Sequence, residues 1–210
     1  VYKWLAQLNP IIRHAGSPIF PIIRSFDPNK NGSRKITGGI LGIMGIRGRL
    51  NIGDSVYINP GFSSKNDNGE WVSSPIQTTI QSVRSEETVL SHAKPGGCVA
   101  VGTTIDPQLA TLNRLVGMVV SDCPLPVVSE CTVTNIDIVA DINAKKDLNG
   151  QIRVQFLTSL VPSEIVKISR KKQLLKIKLL EPTAVVYRTQ RVTLFTIDYR
   201  LIGHGTVTFD

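Results

Sequence analysis

The glycine spacing between residues 38 and 53 constrains the possible folds of this chain more than any other feature. Six glycines stand before Asp54: Gly38, Gly39, Gly42, Gly45, Gly48 and Gly53. Because glycine has no Cβ, the backbone can bend or be closely approached at each of them. The apolar run Val56-Tyr57-Ile58 follows and Asn59-Pro60-Gly61 comes next, which predicts a short strand stopped by a turn. Short strands with glycine kinks favour a small closed β-barrel, whose corners need bends.

The rest of the chain predicts further short strands. Turn-forming clusters at residues 28–32, 51–54, 60–61, 67–69 and 95–97 separate apolar runs as far as residue 120. Beyond residue 126 we predict a partial strand over 129–141 and five more at 151–159, 165–168, 174–180, 184–187 and 191–197. Apolar residues recur at helical spacing only near the start, before Pro10, where we expect a short helix. The chain has no repeat of fixed period, which excludes solenoids and propellers.

A length of 210 residues is enough for two small domains. The predicted fold is all-β, with two consecutive small β-barrels preceded by a short N-terminal helix. We assign residues 1–21 to a connector helix and linker, 22–120 to the first barrel, 121–126 to a linker and 127–210 to the second barrel. Pro124 and Pro126 stiffen the linker, so we expect a fixed relation between the barrels.

The charge distribution favours a polyanionic partner. The formal net charge is +8, and residues 1–50 contain eight basic side chains against one acidic residue, Asp27. A second cluster, residues 167–178, contains six cations and no acid. Each cluster is interpreted either as a solvated face or as a set of direct phosphate contacts.

Several kinds of chemistry are excluded by missing motifs. The phosphate-binding motif G-x-x-x-x-G-K-[ST] does not occur, so the chain is not expected to bind or hydrolyse GTP alone. The run DPNKN at residues 27–31 resembles a guanine-recognition motif, but Gly32 follows where the carboxylate is needed, so we interpret it as turn chemistry. Neither a nucleophile elbow nor an apolar run of about 18 residues is present. We therefore expect neither enzymatic activity nor a membrane span.

Histidine and cysteine give no sign of a metal site. The three histidines, His14, His92 and His204, stand alone, without a second ligand at metal spacing. The three cysteines, Cys98, Cys123 and Cys131, are odd in number and lack C-x-x-C spacing. Reduced, intracellular thiols are the expected state.

Several ordered segments carry a family resemblance. Residues 20–61 contain FPIIRSFDPNK and the glycine-rich run, and KPGGCVAVGT (94–103), IDP (105–107), RLVGMV (114–119) and YRLIGHGT (199–206) follow in order. The set resembles the C-terminal two domains of the gamma subunit of eukaryotic and archaeal translation initiation factor two, without its GTPase domain. That factor is a cytoplasmic heterotrimeric GTPase that delivers methionyl initiator tRNA to the small ribosomal subunit.

The resemblance implies partners and a cofactor arrangement. The chain is expected to begin inside a larger protein, with GTP and Mg²⁺ in a nucleotide-binding domain outside it and no cofactor of its own. The first barrel would bind the alpha subunit through exposed loops, and the nucleotide-binding domain would bind the beta subunit. That domain and the first barrel together would hold the aminoacylated 3′ end of the initiator tRNA.

The same resemblance supplies candidate tRNA-binding residues. Residues 95–103 match a segment that lies near the terminal adenosine in related tRNA carriers. Glycines there let backbone amides approach a nucleotide, and the valines either face its base or belong to the barrel core. Arginines of the basic first quarter are candidate phosphate contacts. The full candidate set is Arg24, Arg47, Arg49, Gly96, Gly97, Val99, Val101, Gly102 and Thr103.

Two alternatives stay open at this level. The chain is either part of another tRNA-carrier GTPase, an elongation or selenocysteine-specific factor, or a non-enzymatic β-protein that binds rRNA. The first class normally lacks the RSFDPNK segment. The second would use the cluster containing Lys167, Arg170, Lys171 and Lys172. The second half also departs from the family, because residues 157–162 stand where third domains usually carry a longer insert.

Overall fold

The structure is a computed structural model that describes residues 15–29, 36–139, 150–169 and 174–209. The helix expected at the start of the chain lies outside the described residues. So do Arg170, Lys171 and Lys172. The prediction of an all-β protein with two barrels is confirmed, because the described strands form two closed rings of six.

The first ring has the strand order β4-β9-β1-β2-β8-β5 and closes through the pairing of β4 with β5. Its strands are β1 (Phe20–Phe26), β2 (Ile40–Met44), β4 (Ser55–Lys65), β5 (Trp71–Ser85), β8 (Cys98–Thr103) and β9 (Val119–Ser121). Strand β6 (Thr88–Leu90) extends the sheet beyond β5, and β3 (Leu50–Asn51) pairs with β7 (His92–Ala93). A short helix, α1 (Pro107–Ala110), and a 3-10 turn (Thr111–Asn113) come between β8 and β9. No helix of the described residues is long and apolar enough to span a membrane.

The second ring has the order β10-β13-β12-β11-β14-β15. Its strands are β10 (Val127–Ile138), β11 (Gln151–Phe156), β12 (Ser159–Ser169), β13 (Leu174–Ala184), β14 (Thr189–Thr196) and β15 (Leu201–Thr208). Neighbouring strands run antiparallel in both rings. Each ring encloses its own apolar core, with Leu41 and Ile58 fully buried in the first and Val154 and Leu194 in the second. Alternate residues of each strand fill these cores, and their neighbours face outward.

Two local predictions were wrong. Pro60 and Gly61 do not end the strand, because β4 continues to Lys65 with a register shift between Ile58 and Phe62. Gly61 has φ +76, and a Cβ there would overlap the Ser74 carbonyl oxygen, so the glycine forms an irregularity inside the ribbon rather than a turn. In the second half, residues 184–187 are not a strand of their own, and β15 was not among the predicted strands.

The linker is fastened to the first barrel by Asn59, whose side chain is fully buried. Its Nδ2 donates to Ser121 Oγ at 2.8 Å, and its Oδ1 accepts from the Leu125 N–H at 2.9 Å. The barrels also touch directly, since a Cβ on Gly117 would lie 3.0 Å from the Ser159 Cα. Side-chain hydrogen bonds therefore add to the stiffness of the two linker prolines.

The described part of the turn predicted at residues 27–31 has the expected chemistry, whereas residues 30 and 31 lie outside the described residues. Asp27 Oδ1 accepts from the backbone N–H of Asn29 at 2.8 Å. The Asn29 side chain then bonds both backbone groups of Thr37: Nδ2 donates to the Thr37 carbonyl at 2.7 Å, and Oδ1 accepts from the Thr37 N–H at 2.7 Å. This amide reproduces the double hydrogen bond of a strand pair between the ends of β1 and β2.

Candidate nucleic-acid interface on the first barrel

Strand register places two arginines on one line across the outside of the first barrel. Arg24 of β1 is opposite Gly42 of β2, Gly42 is opposite Ala100 of β8, and Ala100 is opposite Arg84 of β5. Directly opposed residues share a face of the sheet. In the adjacent row Leu41, Val101 and Val83 are fully buried, so the arginine row faces solvent. Both arginines are exposed.

Between these two arginines the surface consists mainly of backbone atoms. Gly42 has no side chain, and a Cβ there would lie 3.0 Å from the Cβ of Arg24. Ala100 adds only a methyl group. Three strand spacings separate the arginine-bearing strands, which is roughly 14 Å. We call these four residues, Arg24, Gly42, Ala100 and Arg84, the arginine groove. Its guanidinium groups suit the planar recognition of phosphate oxygens.

The next outward row adds an apolar contact surface to the groove. Phe26 is opposite Ile40, Ile40 is opposite Gly102, and Gly102 is opposite Ser82. Phe26 is 46% exposed, which leaves it accessible to a ligand lying in the groove. Aromatic rings beside cations are the usual platform for unstacked bases.

A second cationic site lies beyond the open end of β8. A Cβ on Gly45 would lie 2.8 Å from the Pro95 nitrogen, so the turn after β2 packs directly against the Lys94–Gly97 loop. The loop borders a cavity of about 350 Å³ whose lining includes His92, Lys94, Gly96, Gly97 and Cys98. Desolvation, followed by the charges of Arg49 and Lys94, lowers the pKa of His92. The loop glycines and these cations together form a site suited to an anion.

The structure places the predicted valines and threonine in the barrel wall. The Val101 side chain is fully buried, and Val99 packs against the same core. Thr103 is also buried and donates its hydroxyl to the Gly39 carbonyl at 2.7 Å. These three residues shape the sheet beneath the groove, and the core interpretation of the valines fits the structure.

The arginines and the lysine predicted as phosphate contacts lie in different parts of the structure. Arg24 lies in the groove and Arg49 lies close to His92 at the cavity. Arg47 points elsewhere: its Nε donates to the Ser17 carbonyl at 3.1 Å, and its guanidinium lies 5.8 Å from the ring centroid of Tyr187 in the second barrel. Lys167 is exposed on β12.

Of the predicted residues, Gly102 lies opposite Ser82 in the row next to the arginine groove, and Gly96 and Gly97 line the cavity. Sequence reasoning missed Arg84, Phe26, His92 and Lys94 as members of these sites. Strand alternation alone signals that Arg84 faces outward, but only the pairing of β5 with β8 brings it into line with Arg24. The described residues contain no group of three or more His, Cys, Asp or Glu side chains placed to hold a metal ion.

Relatives of known name match much of the chain, although no family model matches it. Translation initiation factor 2 subunit gamma of Sulfurisphaera tokodaii is 32% identical over 205 residues, which is 90% of this chain and 49% of that protein. The Archaeoglobus fulgidus subunit is 40% identical over 105 residues, 49% of this chain and 24% of that protein. The eukaryotic subunit of Schizosaccharomyces pombe is 39% identical over 112 residues, 52% of this chain and 25% of that protein. The chain thus spans about half the length of the first relative.

Solved structures with the same fold include translation elongation factor SelB from Methanococcus maripaludis. Its apo form aligns with a TM-score of 0.71 at 17% identity, covering 99% of this chain and 47% of that one. Its complex with the GTP analogue GppNHp aligns with a TM-score of 0.72 at 17% identity, covering 99% and 46%. At this identity the likeness concerns the fold alone.

Proposed function

We propose that this chain, a homologue of the gamma subunits of translation initiation factor 2, forms their two C-terminal barrels and holds the aminoacylated 3′ end of methionyl initiator tRNA. Sequence identity supports an initiation factor over an elongation factor, because the initiation-factor relatives reach 32% to 40% and the elongation-factor structures 17%. The fold is common to both groups.

The arginine groove is the observation that carries the proposal. Arg24 and Arg84 would each bind a phosphate of the single-stranded acceptor end, and the floor of Gly42 and Ala100 would let the strand lie close to the backbone. The exposed Phe26 ring would contact a base or ribose beside it. Arg49, His92 and Lys94 would supply a second anion site next to the loop glycines.

The remaining partners follow from the same assignment. The alpha subunit would dock on exposed loops of the first barrel, and the beta subunit would bind the nucleotide-binding region of the full-length subunit. GTP and Mg²⁺ would be held in that region as well. The assembled heterotrimer would carry the tRNA to the small ribosomal subunit in the cytoplasm.

The test is the affinity of the GTP-bound full-length subunit for methionyl initiator tRNA. Arg24→Gln with Arg84→Gln removes both groove cations, and Lys178→Gln with Arg191→Gln removes two exposed cations of the second barrel as a charge-matched control. We expect the groove variant to bind at least about tenfold more weakly, since each lost charge-assisted contact exceeds 1 kcal/mol. The slope of log K against log salt should fall by about 1.4 for two lost contacts to a single strand.

The proposal fails if both double variants lose the same affinity, because the groove would then act only through net charge. Equal affinity of the unaltered subunit for initiator and elongator aminoacyl-tRNAs would contradict the initiation-factor assignment and favour an elongation factor.

A further inference from the structure

The second half of β1 has a neighbouring strand on one side only. Strand β9 pairs with the first residues of β1, Phe20 and Pro21. Residues 111–118, which precede β9, form a series of turns instead of a strand. Among the described residues, β2 is therefore the one strand that pairs with residues 24–26, and the β1–β2 register shifts just before Arg24. A strand that is irregular and paired on one side needs another support to hold its position.

The side chain of Asn113 takes the place of the absent strand. The Ser25 N–H donates to Asn113 Oδ1 at 3.1 Å, and the Leu115 N–H donates to Ser25 Oγ at 3.2 Å. Ser25 is 2% exposed and stands between Arg24 and Phe26, which both face outward. The carboxamide thus supplies the acceptor that a neighbouring strand would otherwise supply, at the centre of this half of β1.

The backbone of Asn113 suits this bond and burial does not hold its side chain. Its φ is 60°, in the left-handed region that asparagine tolerates better than most residues. Asn113 is exposed, so its side chain adds nothing to the apolar core. The bond to Ser25 is the hydrogen bond that the structure shows for this side chain among the described residues. Its effect therefore falls on the position of β1.

The two arginines of the arginine groove differ in how their strands are supported. Arg84 of β5 is opposite Val89 of β6 on one side and Ala100 of β8 on the other. Arg24 has a strand on one side and the turns of residues 111–118 on the other. A ligand that spans the groove needs both guanidinium groups in place, and ordering them before binding reduces the entropy lost on association. The Arg24 side of the groove is the side that depends on Asn113.

We propose that Asn113 is a positioning residue for the arginine groove: its side chain holds β1 at Ser25 and thereby fixes Arg24 and Phe26 for the single-stranded acceptor end. This inference rests on the proposed function, because it concerns the same groove. Asn113 itself does not touch the RNA, so its whole effect on tRNA affinity passes through Arg24 and Phe26.

A double-mutant cycle on the GTP-bound full-length subunit tests the proposal by its affinity for methionyl initiator tRNA. Asn113→Gly keeps the left-handed backbone and removes the acceptor, and we expect about fivefold weaker binding for one lost hydrogen bond. In the background Arg24→Gln with Phe26→Ala, the same substitution should change the affinity less than about 1.5-fold. Asn135→Gly is the matched control, because Asn135 of the second barrel is also exposed and left-handed, with φ 50°.

Amide hydrogen exchange reads the position of β1 without tRNA. The Ser25 N–H should exchange faster in N113G than in the unaltered subunit, and N135G should leave its rate unchanged. N113D keeps a side-chain oxygen as acceptor, so it should retain the slow exchange of Ser25. N113D should also bind tRNA more tightly than N113G, despite its added negative charge.

The outcomes separate this inference from the proposed function. If Arg24→Gln with Phe26→Ala binds tRNA as the unaltered subunit does, the groove is not the site and both fall together. If that variant binds weakly while N113G binds normally, the role of Asn113 alone is overturned. Equal losses from N113G in both backgrounds would show that Asn113 contacts the RNA directly. A distinctly lower melting temperature of N113G than of N135G would show that Asn113 serves the fold.

Discussion

Asn59 of the first barrel and Leu125 of the linker are joined by a 2.9 Å hydrogen bond, in which the Leu125 N–H donates to the Asn59 side-chain oxygen. The other end of the same amide donates to Ser121 Oγ at 2.8 Å. Asn59→Ala leaves the half-buried Leu125 N–H without its acceptor and leaves Ser121 Oγ with only its own bond to the Cys123 carbonyl, so we expect the free energy of unfolding to fall by about 2 kcal/mol. Denaturant titration measures the change. Asn68→Ala, in the exposed turn of the β4–β5 ribbon, is the control and should change stability by less than about 0.5 kcal/mol. Equal effects would contradict the role of Asn59.

Val101 should matter to the fold and not to nucleic-acid contact. Its side chain is fully buried, so Val101→Ala opens a cavity and should lower the free energy of unfolding by about 2 kcal/mol. The affinity of the folded protein for tRNA should stay within twofold of the original. A large loss of tRNA affinity at unchanged stability would restore the prediction that Val101 faces a base.

The three cysteines should differ in reactivity. Cys98 and Cys123 are exposed, whereas Cys131 is buried in the second core and burial raises the pKa of its thiol to about 12. The reactive species is the thiolate. Desolvation and the neighbouring Asp122 carboxylate also raise the pKa of the Cys123 thiol. At pH 8 a disulfide reagent such as DTNB should therefore modify Cys98 fastest, Cys123 more slowly, and Cys131 only after unfolding. Mass spectrometry of the modified peptides identifies which thiol is spared, and fast labelling of Cys131 would contradict its position.

His92 should titrate below its ordinary value of 6.5, since desolvation and the charges of Arg49 and Lys94 lower its pKa. The unfolded chain then binds a proton more readily than the folded one as the pH falls below about 6.5, so acidification through this window destabilises the fold. Lys94→Gln should raise the pKa of His92 in an NMR titration, and Lys178→Gln on the second barrel should leave it unchanged. Phosphate bound in the cavity should also raise it. Identical His92 titration curves in the Lys94→Gln and Lys178→Gln variants would show that Lys94 does not lower the pKa of His92.

The overall fold was predictable from local patterns, because turn residues and alternating apolar residues act over a few positions. Asn51 and Asp54 close the predicted turn through a 2.7 Å hydrogen bond from the Asn51 N–H to Asp54 Oδ2. The same local logic failed at Pro60 and Gly61, which usually signal a turn. Tertiary pairing with Ser74 and its neighbours carries the strand onward there.

The candidate site was predictable only in part. Arg24, Arg49 and the loop glycines stand out in sequence as basic or flexible positions. The groove itself exists because β1, β2, β8 and β5 lie side by side, although 60 positions separate Arg24 from Arg84 in the chain. Only strand order and register reveal that alignment.

The double hydrogen bond between Asn29 and Thr37 has a practical consequence for protein engineering. Since this clasp joins both strand ends directly, we expect insertion of a fluorescent tag or an affinity epitope between the two residues to change the free energy of unfolding little. Loop-closure entropy rises only slowly with added length, by about 0.6 kcal/mol for each doubling.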